Sequence, residues 1–232
     1  MNIFRLCGDM AHLSSIMLLL LKIHGMQSCQ GISLKTQELY ALVFFTRYLD
    51  LFTNYVSLYN TLMKLVFLIA TFSIVYRMRY DKVIKVTYER ESDSFPRHVS
   101  LVVPCLLLAV INHNYGLLMI LWAFSIFLEA VAALPQLILL QQTRKIDKIT
   151  ANYVVLLGSY RAFYILNWIY RYFTEPIWIP AFVWVSGLVQ TGIYCVFFWN
   201  CRHSSVKVKE KSSCSDPRVS CNRGCQRGSS AS

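Results

Sequence analysis

The sequence predicts an all-α membrane protein with seven transmembrane helices. Of its 232 residues, 56% are hydrophobic and only 15% are charged, whereas about 25% of the residues in a typical soluble domain are charged. Apolar runs near the ~20 residues that cross a bilayer recur along most of the chain. These features argue against a disordered chain, a disulfide-stapled miniprotein and a cytosolic enzyme. A transmembrane β-barrel would show segments of alternating polarity, about ten residues each, which the sequence lacks.

Seven apolar segments fill residues 1–200, which we assign to one membrane domain. The second and sixth contain charges, but both are long aromatic and aliphatic runs without a glycine or proline cluster. The first is expected to remain as a helix, because Asp9 and His12 interrupt its start and no signal-peptide cleavage site follows. The segments cover residues 4–23, 38–56, 61–78, 98–113, 117–140, 151–171 and 179–200.

Lysine and arginine are distributed unevenly between the loops, and this asymmetry predicts the orientation in the membrane. Basic residues concentrate after the first, third, fifth and seventh segments, while the opposite side has only Lys64 and Arg171 near helix ends. The amino terminus is therefore predicted to be lumenal or extracellular and the carboxyl terminus cytosolic. The net charge of +11 then reflects topology, since the chain has no basic soluble domain of the kind that binds nucleic acid.

Residues 201–232 differ abruptly from the rest of the chain. They are rich in serine, lysine, arginine and cysteine and contain few large apolar residues, which predicts a disordered basic cytosolic tail. The spacing of Cys214, Cys221 and Cys225 lacks the paired pattern of zinc modules. The cysteines are therefore expected to be reduced thiols, and no metal or other cofactor is expected.

Ionisable residues at bilayer depth are the strongest functional signal, because a charge inside the membrane is costly and usually serves a purpose. Helical spacing puts Arg5, Asp9 and His12 on one face of the first segment. Further charges lie in the second, fifth and sixth segments: Arg47, Asp50, Glu129, Arg161 and Arg171. The surroundings of Arg161 supply hydroxyl, amide and ring groups: Tyr160, Tyr164, Asn167, Trp168 and Tyr170.

These charges have two interpretations. They form internal ion pairs that only stabilise packing, for example Arg47 with Asp50, or they line a ligand pocket. Four arginines face three acids in this set, so at least one positive charge has no acid to pair with. A polar cavity for an anionic ligand explains the excess better, because a guanidinium group binds a carboxylate through two parallel hydrogen bonds.

His12 is either a hydrogen-bonding partner between helices or a pH switch. The ordinary histidine pKa of ~6.5 lies between the pH values of neutral and mildly acidic compartments. If Glu129 lies within reach, protonation of His12 adds a positive charge or releases a buried carboxylate. Either change favours an anionic ligand at lower pH.

The chain also shows a faint internal duplication. Thr36 precedes Arg47 by eleven residues, and Thr150 precedes Arg161 by the same distance. An asparagine follows each arginine within seven residues, at Asn54 and Asn167. These landmarks predict two parallel three-helix repeats, the first to third and the fifth to seventh segments, with the fourth joining them and the site at their interface. Pro135 and Gln136 break the fifth segment, for which a simple helix kink is the alternative explanation.

Several short motifs distinguish the membrane part. They are MetAsnIlePheArgLeu at 1–6 with Gly8, Asp9 and His12, ArgTyrLeuAspLeuPhe at 47–52, SerLeuTyrAsnThr at 57–61, LeuProGlnLeu at 134–137, TyrArg at 160–161 and AsnTrpIleTyrArg at 167–171. From residue 1 to about Phe198 the chain therefore resembles the KDEL receptor family, the ER lumen protein-retaining receptors. ArgTyrPheThrGluPro at 171–176 is most similar to plant members.

The resemblance implies a fold akin to the SWEET and PQ-loop proteins and a function in retrieval. Such a receptor binds escaped lumenal proteins that end in Lys/His-Asp-Glu-Leu in the acidic Golgi and releases them in the endoplasmic reticulum. The implied ligand-binding residues are Arg5, Arg47, Tyr48, Asp50, Asn54, Trp122, Arg161, Tyr164, Asn167, Trp168 and Arg171. The implied pH switch consists of His12, Glu129 and Tyr160.

The chain departs from the family pattern at several positions. Asn114 and Met119 replace acidic residues near the lumenal mouth. In the family the second of these helps to hold the basic first residue of the signal, so its replacement by Met119 should weaken or broaden the preference at that position. Trp122 remains for a cation–π contact. Val196 replaces an aspartate that the family uses in retrograde transport. The tail is unrelated from about Trp199 onward. In place of the lysines that the family's COPI coat contact uses, this tail has a different basic cluster, Lys207, Lys209 and Lys211.

Two other functions stay open at this point. The fold relatives include transporters of small solutes, and the basic aromatic pocket argues against neutral sugars but not against an acidic amino acid or peptide. A receptor variant that binds its signal without trafficking is the other alternative. An enzyme is not expected, because the segments lack H-E-x-x-H, G-x-S-x-G and P-loop signatures.

Overall fold

The computed structural model describes residues 2–52, 57–91, 93, 95, 99–112, 116–143, 146–175 and 180–214, without the side chains of 52, 99 and 204–214. Regular structure in these residues is entirely helical, which confirms the predicted helical class. The helices are α1 (Ile3–Leu20, extended by a π-helical turn, Leu21–Gly25), α2 (Leu34–Arg47, extended by a 3-10 turn, Tyr48–Phe52), α3 (Leu58–Tyr80), α4 (Lys82–Val86), α5 (Val99–Asn112), α6 (Leu117–Ala132), α7 (Leu134–Gln142), α8 (Lys148–Thr174) and α9 (Ala181–Cys214).

Among the described residues, four helical stretches are long and apolar enough to cross a membrane by length and composition. They are Ile3–Gly25, Leu58–Tyr80, Leu117–Gln142 and Ala181–His203. The shorter Ser100–Asn112 is also an apolar helix. The charge-containing second and sixth segments likewise fold as helices, α2 and α8.

Polar side chains fix where several helices begin. The side chains of Asn2, Ser33 and Ser57 each accept a hydrogen bond from the backbone N–H of the third residue of the helix that follows, α1, α2 and α3 respectively. Such caps satisfy donors that the helix itself leaves unpaired. The starts of these helices are therefore encoded by the local sequence.

The long fifth segment is broken at Ala133, between α6 and α7. Pro135 lies in the first turn of α7, and the break frees the backbone N–H of Gln136. That N–H donates to Thr36 Oγ1 at 2.9 Å, while the Gln136 side chain accepts from the N–H of Ser33 and donates to the carbonyl of Gly31. A proline break in a membrane helix is tolerated when a neighbouring hydroxyl satisfies the freed group in this way.

Lys22, at the end of α1, holds the start of α8 in a similar manner. Its side chain is 1% exposed, and its ammonium group donates to Asp147 Oδ2 at 2.8 Å, to Thr150 Oγ1 at 2.6 Å and to the carbonyl of Gln30 at 2.6 Å. The sequence predicted Lys22 only as an orientation signal. It is instead a buried cross-link, because all three of its N–H donors have acceptors.

The chain divides into two compact units, Met1–Ile193 and Tyr194–Ser232. In the first unit α1 packs against α8, and α2 packs against α6 and α3. In the second, the backbone stays helical from Tyr194 to Cys214, beyond the helix end predicted near residue 200. Lysine and glutamate in this stretch are good helix formers. The disordered tail remains a prediction for residues 215–232, which lie outside the described residues.

Candidate binding cavity

A polar cavity of about 290 Å³ opens between α1, α2, α3, α6 and α8 in the first unit. Its wall carries two carboxylates, Asp9 and Glu129, together with four basic side chains: Arg5, Arg47, Lys64 and Arg161. Aromatic rings form much of the remaining wall: Phe44, Tyr48, Tyr59, Phe67, Trp122, Tyr160, Tyr164 and Trp168. The wall is therefore net positive, as expected for a site that takes an anion.

Glu129 is a buried residue of the cavity wall and connects three helices. Its Oε2 is 2.7 Å from Arg47 Nη1 and 3.6 Å from Arg161 Nη2. Its Oε1 accepts a hydrogen bond from the hydroxyl of Tyr160 at 2.8 Å. One carboxylate from α6 thus partly neutralises two arginines, one from α2 and one from α8, and the second positive charge remains uncompensated.

Among the buried charged groups of the wall, the guanidinium of Arg161 has the fewest hydrogen-bond partners within the described part of the chain. The side chain is 5% exposed, yet its Nε and Nη2 atoms have no hydrogen-bond acceptor among the residues that the structure describes. Its guanidinium lies over the ring of Trp168, 5.5 Å from the centroid. A buried guanidinium with free donors is costly unless a ligand or solvent occupies them.

Glycine at position 187 makes room for the indole under Arg161. A Cβ atom at Gly187 would lie 2.6 Å from Cζ3 of Trp168, closer than such atoms approach each other. The ring also packs edge-on against Trp184 at 5.8 Å. The stretch of α9 in the first unit therefore holds Trp168 in the position that supports Arg161.

His12 stacks on Tyr160, the donor to Glu129. The two rings are nearly parallel, with an angle of 7° and a centroid distance of 4.1 Å. His12 also contacts the rings of Phe44 and Phe67, and it is 6% exposed. The structure therefore brings together the three residues that the sequence predicted as a pH switch.

Asp9 accepts hydrogen bonds from two tyrosines on different helices. Tyr59 donates to its Oδ2 at 3.2 Å, and Tyr164 donates to its Oδ1. Gly8 permits the close approach of α1 to α8, because a Cβ there would already be 3.3 Å from the ring of Tyr164. Arg5 lines the same wall and has no ion-pair partner within the described part of the chain. Its charge therefore adds to the positive excess.

Asp50 pairs with Lys64 rather than with Arg47. The distance from Lys64 Nζ to Asp50 Oδ2 is 2.8 Å, and the same ammonium lies 5.8 Å from the centroid of the Tyr48 ring. The pairing of Arg47 with Asp50, considered above as the structural alternative, is wrong. Arg47 points instead to Glu129 and donates from Nε to the hydroxyl of Ser125 at 3.1 Å.

The predicted ligand-binding residues divide into two groups in the structure. Those on the cavity wall are Arg5, Arg47, Tyr48, Trp122, Arg161, Tyr164 and Trp168, together with all three switch residues. Asp50 and Asn167 are not among the lining residues; Asn167 is buried, with its Oδ1 unpartnered among the described residues. Arg171 pairs with Glu175 at 2.8 Å, half-exposed at the end of α8. Asn54 and Asn114 lie outside the described residues, as do the side chains of Lys207, Lys209 and Lys211.

The sequence prediction missed several wall residues. Lys64 was attributed to a helix end, although it lies within an apolar span and the rule applied to the other membrane charges could have identified it. Tyr59 belongs to a family motif to which no role was assigned. Gln190, which does not line the cavity, donates to the Tyr160 hydroxyl at 3.0 Å, and no local sequence signal indicates that contact.

The fold is that of a helical membrane protein, and its cavity has a net-positive, aromatic wall. Comparison with known families assigns it further: residues 28–171 match the family "ER lumen protein retaining receptor". The chain is 60% identical over 200 residues to the ER lumen protein-retaining receptor of Petunia hybrida, covering 86% of this chain and 93% of that protein. It is 61% identical, with the same coverage, to receptor B of Arabidopsis thaliana, and 56% identical to receptor erd-2.2 of Caenorhabditis elegans over 86% of this chain and 92% of the relative. The chain belongs to the ER lumen protein retaining receptor family.

Proposed function

We propose that the protein is a pH-dependent receptor for the carboxyl-terminal Lys/His-Asp-Glu-Leu signal of escaped lumenal proteins. It binds them in the Golgi and returns them to the endoplasmic reticulum. The observation that carries the proposal is the buried guanidinium of Arg161, whose Nε and Nη2 lack a hydrogen-bond acceptor among the described residues. It lies on a wall with four cations and two carboxylates. The names of the relatives, all lumenal retention receptors, favour this function over the transport of a small solute.

The chemistry of the signal complements the wall. A peptide that ends in Asp-Glu-Leu carries two side-chain carboxylates and a terminal carboxylate, while its leucine is apolar. Arg5, Arg47 and Arg161 supply guanidinium groups for charge-assisted hydrogen bonds. The basic or histidine side chain at the first position suits the face of Trp122 through a cation–π contact.

We assign the pH response to the cluster of His12, Tyr160 and Glu129. The other charges that act on His12 are Arg47 and Arg161, so the histidine sits among one carboxylate and two guanidinium groups. On acidification His12 takes up a proton, and the resulting imidazolium forms an ion pair with Glu129. This weakens the ion pairs between Glu129 and the two arginines. The arginines are then freer to bind the ligand's carboxylates, so affinity rises as the pH falls.

We further propose seven transmembrane helices arranged as two parallel repeats, α1–α3 and α6–α9, joined by α5. The support is reciprocal contact. In the two repeats Lys22 corresponds to Gln136 and Thr36 corresponds to Thr150, because both pairs have the same separation in the sequence. Lys22 donates to Thr150, and Gln136 donates to Thr36. Likewise α1 packs on α8 while α6 packs on α2. An approximate two-fold relation between repeats produces such exchanged pairs.

The orientation and the sorting partners follow from the same function. The amino terminus is lumenal and the carboxyl terminus is cytosolic, as the loop charges indicate. COPI is the expected coat partner for the return step, although the tail and Val196 depart from the family pattern. A receptor that binds its signal but does not traffic is therefore the alternative for the cellular function, and it would share the same binding site.

Binding of a labelled peptide ending in KDEL to the purified protein tests the proposal. We expect tight binding at mildly acidic pH, weak binding at neutral pH, and loss of binding when the peptide's carboxyl terminus is amidated. Absence of binding at both pH values, by protein shown to be folded, would contradict the receptor function. Equal binding of the amidated peptide would contradict the carboxylate recognition on which the proposal rests.

A further inference from the structure

A groove along α2 and α3 lies apart from the binding cavity. It has a volume of about 440 Å³ and an apolar wall made by Ala41, Leu42, Phe45, Phe72 and Val75. Phe45 is 52% exposed and Phe72 is 46% exposed, so both rings face outward from the protein. The α3 helix is one of the membrane-crossing candidates, and an outward-facing groove on a membrane-spanning helix lies against acyl chains.

The groove ends at an ion pair that also borders a second cavity. Arg79 Nη2 and Glu38 Oε1 are 2.8 Å apart, and both residues line the groove and the neighbouring cavity of about 580 Å³. Arg79 lies one residue before the end of the apolar span Leu58–Tyr80. The boundary between the two spaces therefore lies where α3 leaves the apolar region, the depth at which lipid headgroups lie.

The second cavity, which we call the basic cavity, has a positive wall. Its basic residues are Lys35, Arg79, Lys85 and Arg90, and its acids are Glu38 and Asp93. Both acids are engaged. Glu38 pairs with Arg79, and Asp93 accepts from the hydroxyls of Ser33 and Tyr88 at 2.9 and 2.6 Å.

Two cations of the basic cavity remain available. Lys35 Nζ is fixed by the carbonyls of Asp93 and Phe95, each at 2.6 Å. Lys85 and Arg90 are exposed and have no ion-pair partner among the residues that the structure describes. Burial and the hydrogen bond to Asp93 raise the pKa of Tyr88, so that its hydroxyl stays a neutral donor to that carboxylate.

We propose that the α2–α3 groove and the basic cavity together bind one anionic phospholipid. One acyl chain lies along Phe45 and Phe72, and the headgroup phosphate lies against Lys85 and Arg90. The shape of the site favours a lipid over a soluble anion, because the apolar groove and the cationic cavity meet at Arg79, as the chain and headgroup of a lipid do. Each basic side chain near an anionic headgroup contributes modestly, and several together give selectivity.

Native mass spectrometry of the full chain, released from detergent with added lipid, tests the proposal. The probes are phosphatidic acid, phosphatidylcholine with the same acyl chains, and soluble glycerol 3-phosphate. We expect one phosphatidic acid to be retained in preference to phosphatidylcholine, and no retention of glycerol 3-phosphate. Equal retention of the two lipids, or occupancy by glycerol 3-phosphate alone, would overturn the proposal.

Paired variants separate this site from general charge attraction. The double variant Lys85→Ala/Arg90→Ala should lower the retention of phosphatidic acid roughly tenfold. The control Lys82→Ala/Lys148→Ala removes two exposed charges that line neither cavity and should leave retention unchanged. Val75→Trp fills the groove and should lower the retention of both lipids. Equal losses in both double variants would refute a specific site, and unchanged peptide binding by Lys85→Ala/Arg90→Ala shows that the protein is folded.

Discussion

Replacing Arg161 by alanine tests whether the proposed cavity binds the carboxylates of a ligand. Arg161 is buried, and two of its nitrogens lack acceptors among the described residues. Its distance of 3.6 Å from Glu129 leaves it only a loose partner of that carboxylate. Arg47 differs because it is 2.7 Å from Glu129 and also bonds Ser125. Arg161→Ala should therefore weaken ligand binding while leaving Glu129 paired.

The expected loss follows from the geometry of the site. The guanidinium is already desolvated and fixed over Trp168 before the ligand arrives, so little ordering opposes its hydrogen bonds to a carboxylate. Truncating one partner of a buried charged pair costs about 2–5 kcal/mol. The lower limit corresponds to an affinity loss of roughly 30-fold. Arg47→Ala should in addition lower the stability of the free protein by about 3–5 kcal/mol, because it strips Glu129 of its close partner.

Peptide affinity and thermal stability, measured together, separate these effects. The peptides are the parent ending in KDEL and three derivatives, each with one carboxylate neutralised: Asp to Asn, Glu to Gln, or an amidated terminus. In the parent protein every derivative should bind more weakly. To Arg161→Ala, one derivative should bind as well as the parent peptide does. The carboxylate that this derivative lacks is the one that Arg161 binds. Arg77→Ala is the charge-removal control, because Arg77 lies outside the cavity and pairs with Asp81.

Two results would refute this reasoning. An affinity change of less than about threefold for Arg161→Ala is far below the loss of a buried charge-assisted bond. If each of the three peptide derivatives loses as much affinity for Arg161→Ala as it loses for the parent protein, no ligand carboxylate contacts Arg161. Either outcome, in protein with unchanged thermal stability, removes Arg161 from the binding site.

Three further predictions concern the switch, the support of the cavity and the fold. His12→Ala should make peptide affinity at acidic and neutral pH nearly equal, and a retained pH dependence would assign the sensor to another group. Gly187→Ala should displace the indole beneath Arg161 and lower peptide affinity by roughly 0.5–2 kcal/mol, whereas Gly192→Ala, which meets open space, should not. Lys22→Met should reduce the free energy of unfolding by roughly 2–4 kcal/mol. Thermal unfolding in detergent measures this loss, with Lys82→Met as the exposed control. Equal melting temperatures of the two variants would show that the buried cross-link contributes nothing.

Local features of the sequence determined the helical class and much of the cavity. Apolar windows located the helices because a membrane helix must satisfy its own backbone and bury its side chains in lipid. Charges inside those windows identified Arg5, Arg47, Glu129 and Arg161, since an ionisable group at that depth is rarely without a function. Helical spacing also placed Asp9 and His12 on one face. Each of these inferences depends on residues within one helix.

Pairing between helices was decided only by the tertiary structure. The sequence offered Asp50 as a partner for Arg47, three residues away, but packing brings Glu129 of α6 to Arg47 and gives Asp50 to Lys64 of α3. The buried role of Lys22 depends on Asp147 and Thr150, which are distant in the chain. Whether a charge is paired, free or exposed depends on which side chains of other helices contact it. Helical periodicity contains no information about those contacts.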